Sequence, residues 1–152
     1  VLCCCGGGGL MAGVSTAVSH LSAKTAIYAV EPEHFDDTRR SLAAGMHVKN
    51  APGHTSICDA IVTPTPGKLT FPINRAKLAG AFAVSDAQAA QAVAYAARVL
   101  KITAEPGGAV ALAAALAGKL DLTGKTVAVV VSGGNIDPSL HAAIVAAGGL
   151  PA

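Results

Sequence analysis

Tryptophan is absent from this sequence, aromatic residues make up 3% and charged residues only 13%. With a formal charge of +2 and no basic block, nucleic acid is not expected as the main partner. No Cys-x-x-Cys pair occurs, so nothing suggests a zinc site. Three of the four cysteines, Cys3, Cys4 and Cys5, are consecutive, which is not the pattern of a disulfide framework. They read as free thiols in a buried strand, which fits a cytoplasmic protein. No Asp, Glu, Lys or Arg precedes Lys24, a length that could span a bilayer. The glycines and the polar Ser15, Thr16, Ser19, His20 and Ser22 make a poor membrane helix, and no cationic region precedes them as in a signal peptide. No membrane contact is expected. An initiator Met is also lacking, and the first residue already lies in an apolar run. The expectation is a piece of a longer protein.

Small apolar side chains dominate what is there. Hydrophobic residues make up 52% of 152 residues, which fits one ordinary domain and not a disordered chain. The chain is organised around Gly6-Gly7-Gly8-Gly9-Leu10. An apolar run, Val1 to Cys5, precedes it, and a helix-compatible segment to Leu21 follows. Four glycines cost backbone entropy, and in return allow positive φ and close approach. Their N–H groups can turn together toward one anion, with the positive end of a helix behind them. The expected ligand is a phosphate; the alternative is a plain tight turn.

Thr25 to Val30 reads as a buried parallel strand, stopped by Pro32. The acids between Glu31 and Asp37 either hold a hard cation or form a solvated loop at a helix start. A short helix is expected over Thr38 to Ala44, closed by Gly45. Residues 46–72 are irregular, and long loops of this kind are often functional. His54 reads as a surface residue of this loop. A helix over Ile73 to Ala79 and a strand over Ala81 to Val84 follow. Ser85 with Gln88 forms a capping box for a helix to about Lys101. Glu105-Pro106 starts a small-residue, apolar helix ending at Gly118, expected to be central. Thr126 to Val131 reads as the clearest buried strand, running into Ser132-Gly133-Gly134-Asn135. Asp137-Pro138 opens a last helix to about Ala147.

Strands alternate with helices, which predicts an α/β fold: three layers, a mostly parallel sheet flanked by helices. Ligands of such sheets bind beyond the carboxyl ends of the strands, where Gly6 to Gly9, Glu31 and Ser132 all fall. Gly7-x-Gly9-x-x-Ala12 with Glu31 also fits a dinucleotide fingerprint. Against that, the glycine run is longer than the fingerprint needs, and Glu31 opens an acidic loop. A non-catalytic interaction module is the third possibility.

Four segments occur here in one order: Gly6 to Leu10, Glu31-Pro32 with Phe35-Asp36-Asp37, Glu105-Pro106-Gly107-Gly108-Ala109, and Ser132-Gly133-Gly134-Asn135. In that order they resemble the threonine dehydratase and serine racemase family, pyridoxal-phosphate enzymes of the tryptophan-synthase β-subunit fold type. The resemblance covers essentially the whole chain. It implies that Gly6, Gly7, Gly8, Gly9 and the Leu10 N–H cradle the cofactor phosphate. Ser132 would hydrogen-bond the pyridine nitrogen, and Glu105 would stand beside the ring, unless it only caps its helix. Glu31, the Phe35 carbonyl and Asp37 match the family's divalent-cation site, for Mg²⁺, Mn²⁺ or Ca²⁺. Asp59 resembles a position near the active site, although the family usually has glycine where Ala60 stands.

The family's Schiff-base lysine lies far upstream, and none of Lys24, Lys49, Lys68, Lys77, Lys101, Lys119 or Lys125 has a matching context. The resemblance therefore implies the C-terminal half of the large domain, residues 1–152, without the catalytic lysine. This chain alone is expected to be inactive. The expected partners are a small hydroxy amino acid, the absent N-terminal half and a second subunit of a homodimer. No regulatory domain is expected after Ala152, which makes the short, catabolic type the closer match. The implied reaction is β-elimination of L-threonine or L-serine to a 2-oxo acid and ammonia. Alternatives within the family are 3-hydroxyaspartate ammonia-lyase and serine racemase.

Overall fold

Three parallel strands form the sheet in the order β1 (Leu2–Cys4), β2 (Tyr28–Pro32) and β3 (Gly80–Val84). The computed structural model describes residues 1–150; residues 151–152, the end of the expected half-domain, lie outside the described residues. Cys3 is in register with Ala29, and Val30 with Phe82. Parallel neighbours need long crossovers. The first crossover is α1 (Gly9–Leu21). The second carries α2 (Asp37–Ala44), a single 3₁₀ turn (Asp59–Ile61) and α3 (Thr70–Lys77). Beyond β3 come α4 (Asp86–Tyr95), α5 (Pro106–Leu116) and α6 (Pro138–Ala147). Among the described residues, no helix is long and apolar enough to cross a membrane.

The centre of the packing is α5, as its sequence predicts. Every residue from Pro106 to Ala114 is buried. The helix lies across all three strands and against α4. Its alanines and glycines let neighbouring backbones come close. A Cβ at Gly108 would lie 2.6 Å from the Gly133 carbonyl oxygen and 2.7 Å from its nitrogen. The Gly108 carbonyl in turn accepts from the Ser132 N–H at 3.3 Å. Gly108→Ala should therefore destabilise the full-length protein by about 2 kcal/mol through overpacking. Urea denaturation is the check, and an unchanged midpoint would show that the 132–134 loop can give way.

The capping box is present in both directions: the Gln88 N–H donates to Ser85 Oγ and the Ser85 N–H to Gln88 Oε1. The helix it opens reaches Leu100 as expected, but its last turn, Ala96–Leu100, is π-helical. Lys101, at φ 60°, ends it. Asp137 caps α6 by accepting from the Ser139 and Leu140 N–H groups.

Three expectations need correction. Thr126 to Val131 is not a buried strand. It touches the sheet through one parallel bridge, Val129 to Leu2, with Leu2 N–H on the Ala128 carbonyl and Val130 N–H on the Leu2 carbonyl. Its valines are only half-buried, because no strand covers its far side among the described residues. Secondly, Pro32 does not stop β2 but belongs to it, in register with Val84. Alternate residues of a parallel strand donate to opposite neighbours. The Glu33 N–H goes to Val84 of β3, so the donor that Pro32 lacks would face β1, which has already ended at Cys4. Thirdly, the helix expected over Ile73 to Ala79 starts earlier, at Thr70. Pro72 lies in its first turn, where a missing N–H breaks no helical bond.

Candidate functional site

The apolar strand β1 ends in Cys4 and Cys5, and the glycine loop turns the chain directly into α1. Gly8 has φ 86°, the left-handed conformation that only glycine adopts freely. The N–H groups of Gly6 to Leu10 donate to no protein acceptor among the described residues. They stand at the positive end of a 13-residue helix. A Cβ on Gly7 or Gly9 would meet nothing within 4 Å. Free donors, a helix dipole and open space together describe an anion cradle.

A cavity of about 270 Å³ opens in front of this loop. All of Gly6, Gly7, Gly8, Gly9, Leu10, Glu105 and Ser132 line it. Residues that come from separate parts of the sequence thus share one space at the carboxyl ends of the strands. Glu105 occupies the N-cap position of α5, yet its side chain caps no N–H, so the capping alternative has no support here. Its backbone N–H is tied to the Gly133 carbonyl at 3.0 Å. That bond joins the Glu105 corner to the Ser132 loop. The Ser132 hydroxyl lies 3.1 Å from the Cys4 thiol.

Cys4, Cys5, Ala60 and Ile61 also line the cavity, and sequence reasoning did not place them at the site. For the cysteines the signal was their place at the end of β1, next to the loop. Ala60 and Ile61 come from the 3₁₀ turn that begins at Asp59. Asp59 itself is exposed and is not part of the lining. All four cysteines are buried and free. Burial pushes the Cys5 and Cys58 thiols up to about 12. None of the seven lysines lines the cavity among the described residues.

Glu31, Phe35 and Asp37 lie along the turn from β2 into α2 and line no part of the glycine-loop cavity. Glu31 and Asp37 are both fully buried, although Glu33 and His34 between them are exposed. The Glu31 carboxylate accepts the Thr38 N–H at 2.9 Å and the Arg39 N–H at 2.8 Å. A strand side chain thus caps a helix whose own N-cap residue, Asp36, makes no capping bond. Asp36 instead pairs with Arg39 and Arg40. Asp37 accepts from the Asn50 side chain at 2.6 Å, and its other carboxylate oxygen has no partner. Burial pushes the Glu31 carboxyl up to about 8, with the charge of Asp37 adding to it. Burial also pushes Asp37 up to about 6. Among the described residues, no three His, Cys, Asp or Glu side chains converge on a metal-sized space.

A larger open groove, about 640 Å³, lies by α2 and β3. It includes His34, whose ring stacks on His54 with centroids 4.1 Å apart. None of the residues of the glycine-loop cavity belongs to it.

Residues 1–133 match the family described as "Pyridoxal-phosphate dependent enzyme". The chain is 36% identical to an L-threonine ammonia-lyase of Thermotoga maritima over 135 residues, 89% of this chain and 33% of that protein. It is 35% identical to a serine racemase of Schizosaccharomyces pombe, covering 91% of this chain and 43% of that one. The solved structure of a serine racemase from Dictyostelium discoideum superposes with a TM-score of 0.82 at 34% identity, over 90% of this chain and 43% of that one. A solved threonine deaminase superposes with a TM-score of 0.83 at 39% identity, over 90% of this chain and 48% of that one. The chain thus spans between a third and a half of these relatives' lengths. The dinucleotide fingerprint at Gly7 to Ala12 finds no support in these likenesses. Both by sequence and by fold, the chain belongs to the family of pyridoxal-phosphate-dependent enzymes.

Proposed function

We propose that the complete protein is a pyridoxal-phosphate-dependent ammonia-lyase acting on L-threonine or L-serine. Residues 1–152 are the C-terminal half of its cofactor-binding large domain. The observation that carries this is the shared cavity of the glycine loop, Glu105 and Ser132 in a chain of this family. The residues fit the cofactor: free N–H groups and empty space in front of Gly7 and Gly9 suit a phosphate, and the Ser132 hydroxyl suits a ring nitrogen. Glu105 takes the position beside the ring. When bound, pyridoxal phosphate supplies an electron sink for the negative charge that develops at the substrate's α-carbon.

Ser132 sets how strong that sink is. A neutral hydroxyl cannot hold the ring nitrogen protonated as a carboxylate would. The charge at the α-carbon is then better discharged quickly, by loss of the β-hydroxyl. The lysine that carries the cofactor belongs to the half of the enzyme that precedes Val1. A homodimer completes the reading, placed in the cytoplasm, a compartment the free thiols support.

Glu31, the Phe35 carbonyl and Asp37 are read as a divalent-cation site, for Mg²⁺, Mn²⁺ or Ca²⁺. The fit rests on two fully buried carboxylates, one with an unpartnered oxygen. A cation there would offset the burial that raises both carboxyl groups, and the charge of Asp37 that adds to it at Glu31.

Serine racemase activity is the second reading, favoured by the near-equal likeness to a racemase. One experiment separates these readings. The full-length protein should show an absorbance band at about 410–420 nm, which residues 1–152 alone should lack. With L-threonine or L-serine it should release a 2-oxo acid and ammonia. Release from 3-hydroxyaspartate alone, or conversion of L-serine mainly to D-serine, would move the assignment within the family. Tight binding of a nicotinamide and no pyridoxal phosphate would overturn it.

A further inference from the structure

Three hydrogen bonds reach the back of the glycine loop from residues 67–74. The Gly67 N–H donates to the Gly7 carbonyl at 3.2 Å. The Thr70 hydroxyl donates to the same carbonyl at 2.5 Å. The Asn74 side-chain amide donates to the Gly8 carbonyl at 3.2 Å, beside the Ala12 N–H of α1 that donates to it at 2.9 Å. A trans peptide is planar, with its C=O and N–H pointing to opposite sides. The Gly7 carbonyl shares a peptide with the Gly8 N–H, and the Gly8 carbonyl shares one with the Gly9 N–H. Holding each carbonyl toward α3 therefore turns the next N–H away from α3. With Gly8 left-handed between them, successive N–H groups make the concavity that binds anions.

We infer that Thr70 and Asn74 are positioning residues that aim the Gly8 and Gly9 N–H groups into the cavity and so set the loop's affinity for a phosphate monoester. This rests on the reading of the loop as a phosphate cradle. Two features mark the brace as built for close contact. A Cβ at Gly67 would lie 2.7 Å from Thr70 Oγ1 and 2.8 Å from the Gly7 oxygen, so a glycine is needed for the two backbones to meet. Asn74 is 1% exposed, and its amide oxygen has no partner. Burying an amide with one end unsatisfied is costly, and an apolar side chain would fill that space more cheaply. The amide's directed bond to the Gly8 carbonyl is what an apolar residue could not supply.

The test compares pyridoxal phosphate with pyridoxal, which lacks the phosphate, in the full-length protein by equilibrium dialysis. Thr70→Val keeps the shape and removes the hydroxyl. It should weaken pyridoxal phosphate about tenfold and leave pyridoxal bound as in the wild type. Thr70→Ser should restore the loss, and Asn74→Ala should show the same phosphate-selective weakening. An equal loss for both ligands, or a loss that Thr70→Ser does not recover, would give Thr70 a role in the fold only and overturn the inference. Unchanged pyridoxal phosphate affinity in both Thr70→Val and Asn74→Ala would overturn it too. A wild type that binds no pyridoxal phosphate would instead remove the cradle itself, and the brace with it.

Discussion

Gly7→Val in the full-length protein should lower pyridoxal phosphate affinity about a hundredfold, through loss of charge-assisted N–H contacts to the phosphate. The melting temperature of the cofactor-free protein should stay within about 1 °C, as for substitutions that touch nothing. The separation of the two effects comes from the loop's geometry. Gly7 is exposed, its φ is not in the left-handed region, and a Cβ there meets nothing within 4 Å. The added isopropyl group therefore fills space that only a ligand would occupy. Gly8→Val is the contrasting variant. Gly8 is buried at φ 86°, and its Cβ would lie 2.8 Å from Asn74 Nδ2 and 2.9 Å from Thr70 Oγ1. That substitution should lower the melting temperature even without cofactor. Dialysis followed by absorbance measures the first effect, and calorimetry the second. Full cofactor occupancy in Gly7→Val after dialysis would reduce the loop to a turn.

Millimolar Mg²⁺ or Mn²⁺ should raise the melting temperature of the full-length protein by about 5 °C, as expected for an ion that binds only the folded state. Asp37→Asn should abolish that rise. Two buried carboxylates and one carbonyl leave room for about three waters around Mg²⁺, which keeps several and resists all-protein cages. Asp37 is the better residue to change. Glu31 also caps α2 through Thr38 and Arg39, so removing it would damage the fold whether or not a metal binds. Asparagine at position 37 keeps the size and removes one charge from the pair. Pyridoxal phosphate occupancy should be the same in both proteins, since neither carboxylate lines the glycine-loop cavity. An equal rise in wild type and Asp37→Asn would place the ion elsewhere. No rise in the wild type would leave the two carboxylates as a helix cap and its neighbour.

Local chemistry was legible from the residues because each signal is short in range. Ser85 and Gln88 satisfy each other's backbone partners within one helical turn, whatever packs around them. Gly45 closes α2 in the left-handed conformation its position predicts, at φ 69°. The apolar run of α5 allows only a central place, since no face of it could meet water at low cost. The glycines at the start of α1 carry their own meaning, because no other residue type supplies that much backbone freedom, and Gly8 uses it at φ 86°.

Other features depend on which neighbours the chain acquires. The valines of Thr126 to Val131 have strand chemistry, but a strand is buried only if it is covered, and among the described residues this segment has a partner on one side only. Pro32 reads as a breaker until the register shows that its missing donor faces no strand. Glu31 reads as a loop acid until folding brings the start of α2 over it. The brace behind the glycine loop joins residues 7 and 8 to residues 67, 70 and 74, and no pattern in either segment announces it. The sequence by itself determined most of the helices, the caps at Ser85 and Asp137 and the chemistry available at the ends of the strands, because those follow from single side chains and their near neighbours. Only the tertiary structure decided which carbonyls are held, which carboxylates lose their water and which residues share the cavity, because these depend on contacts between segments far apart in the chain.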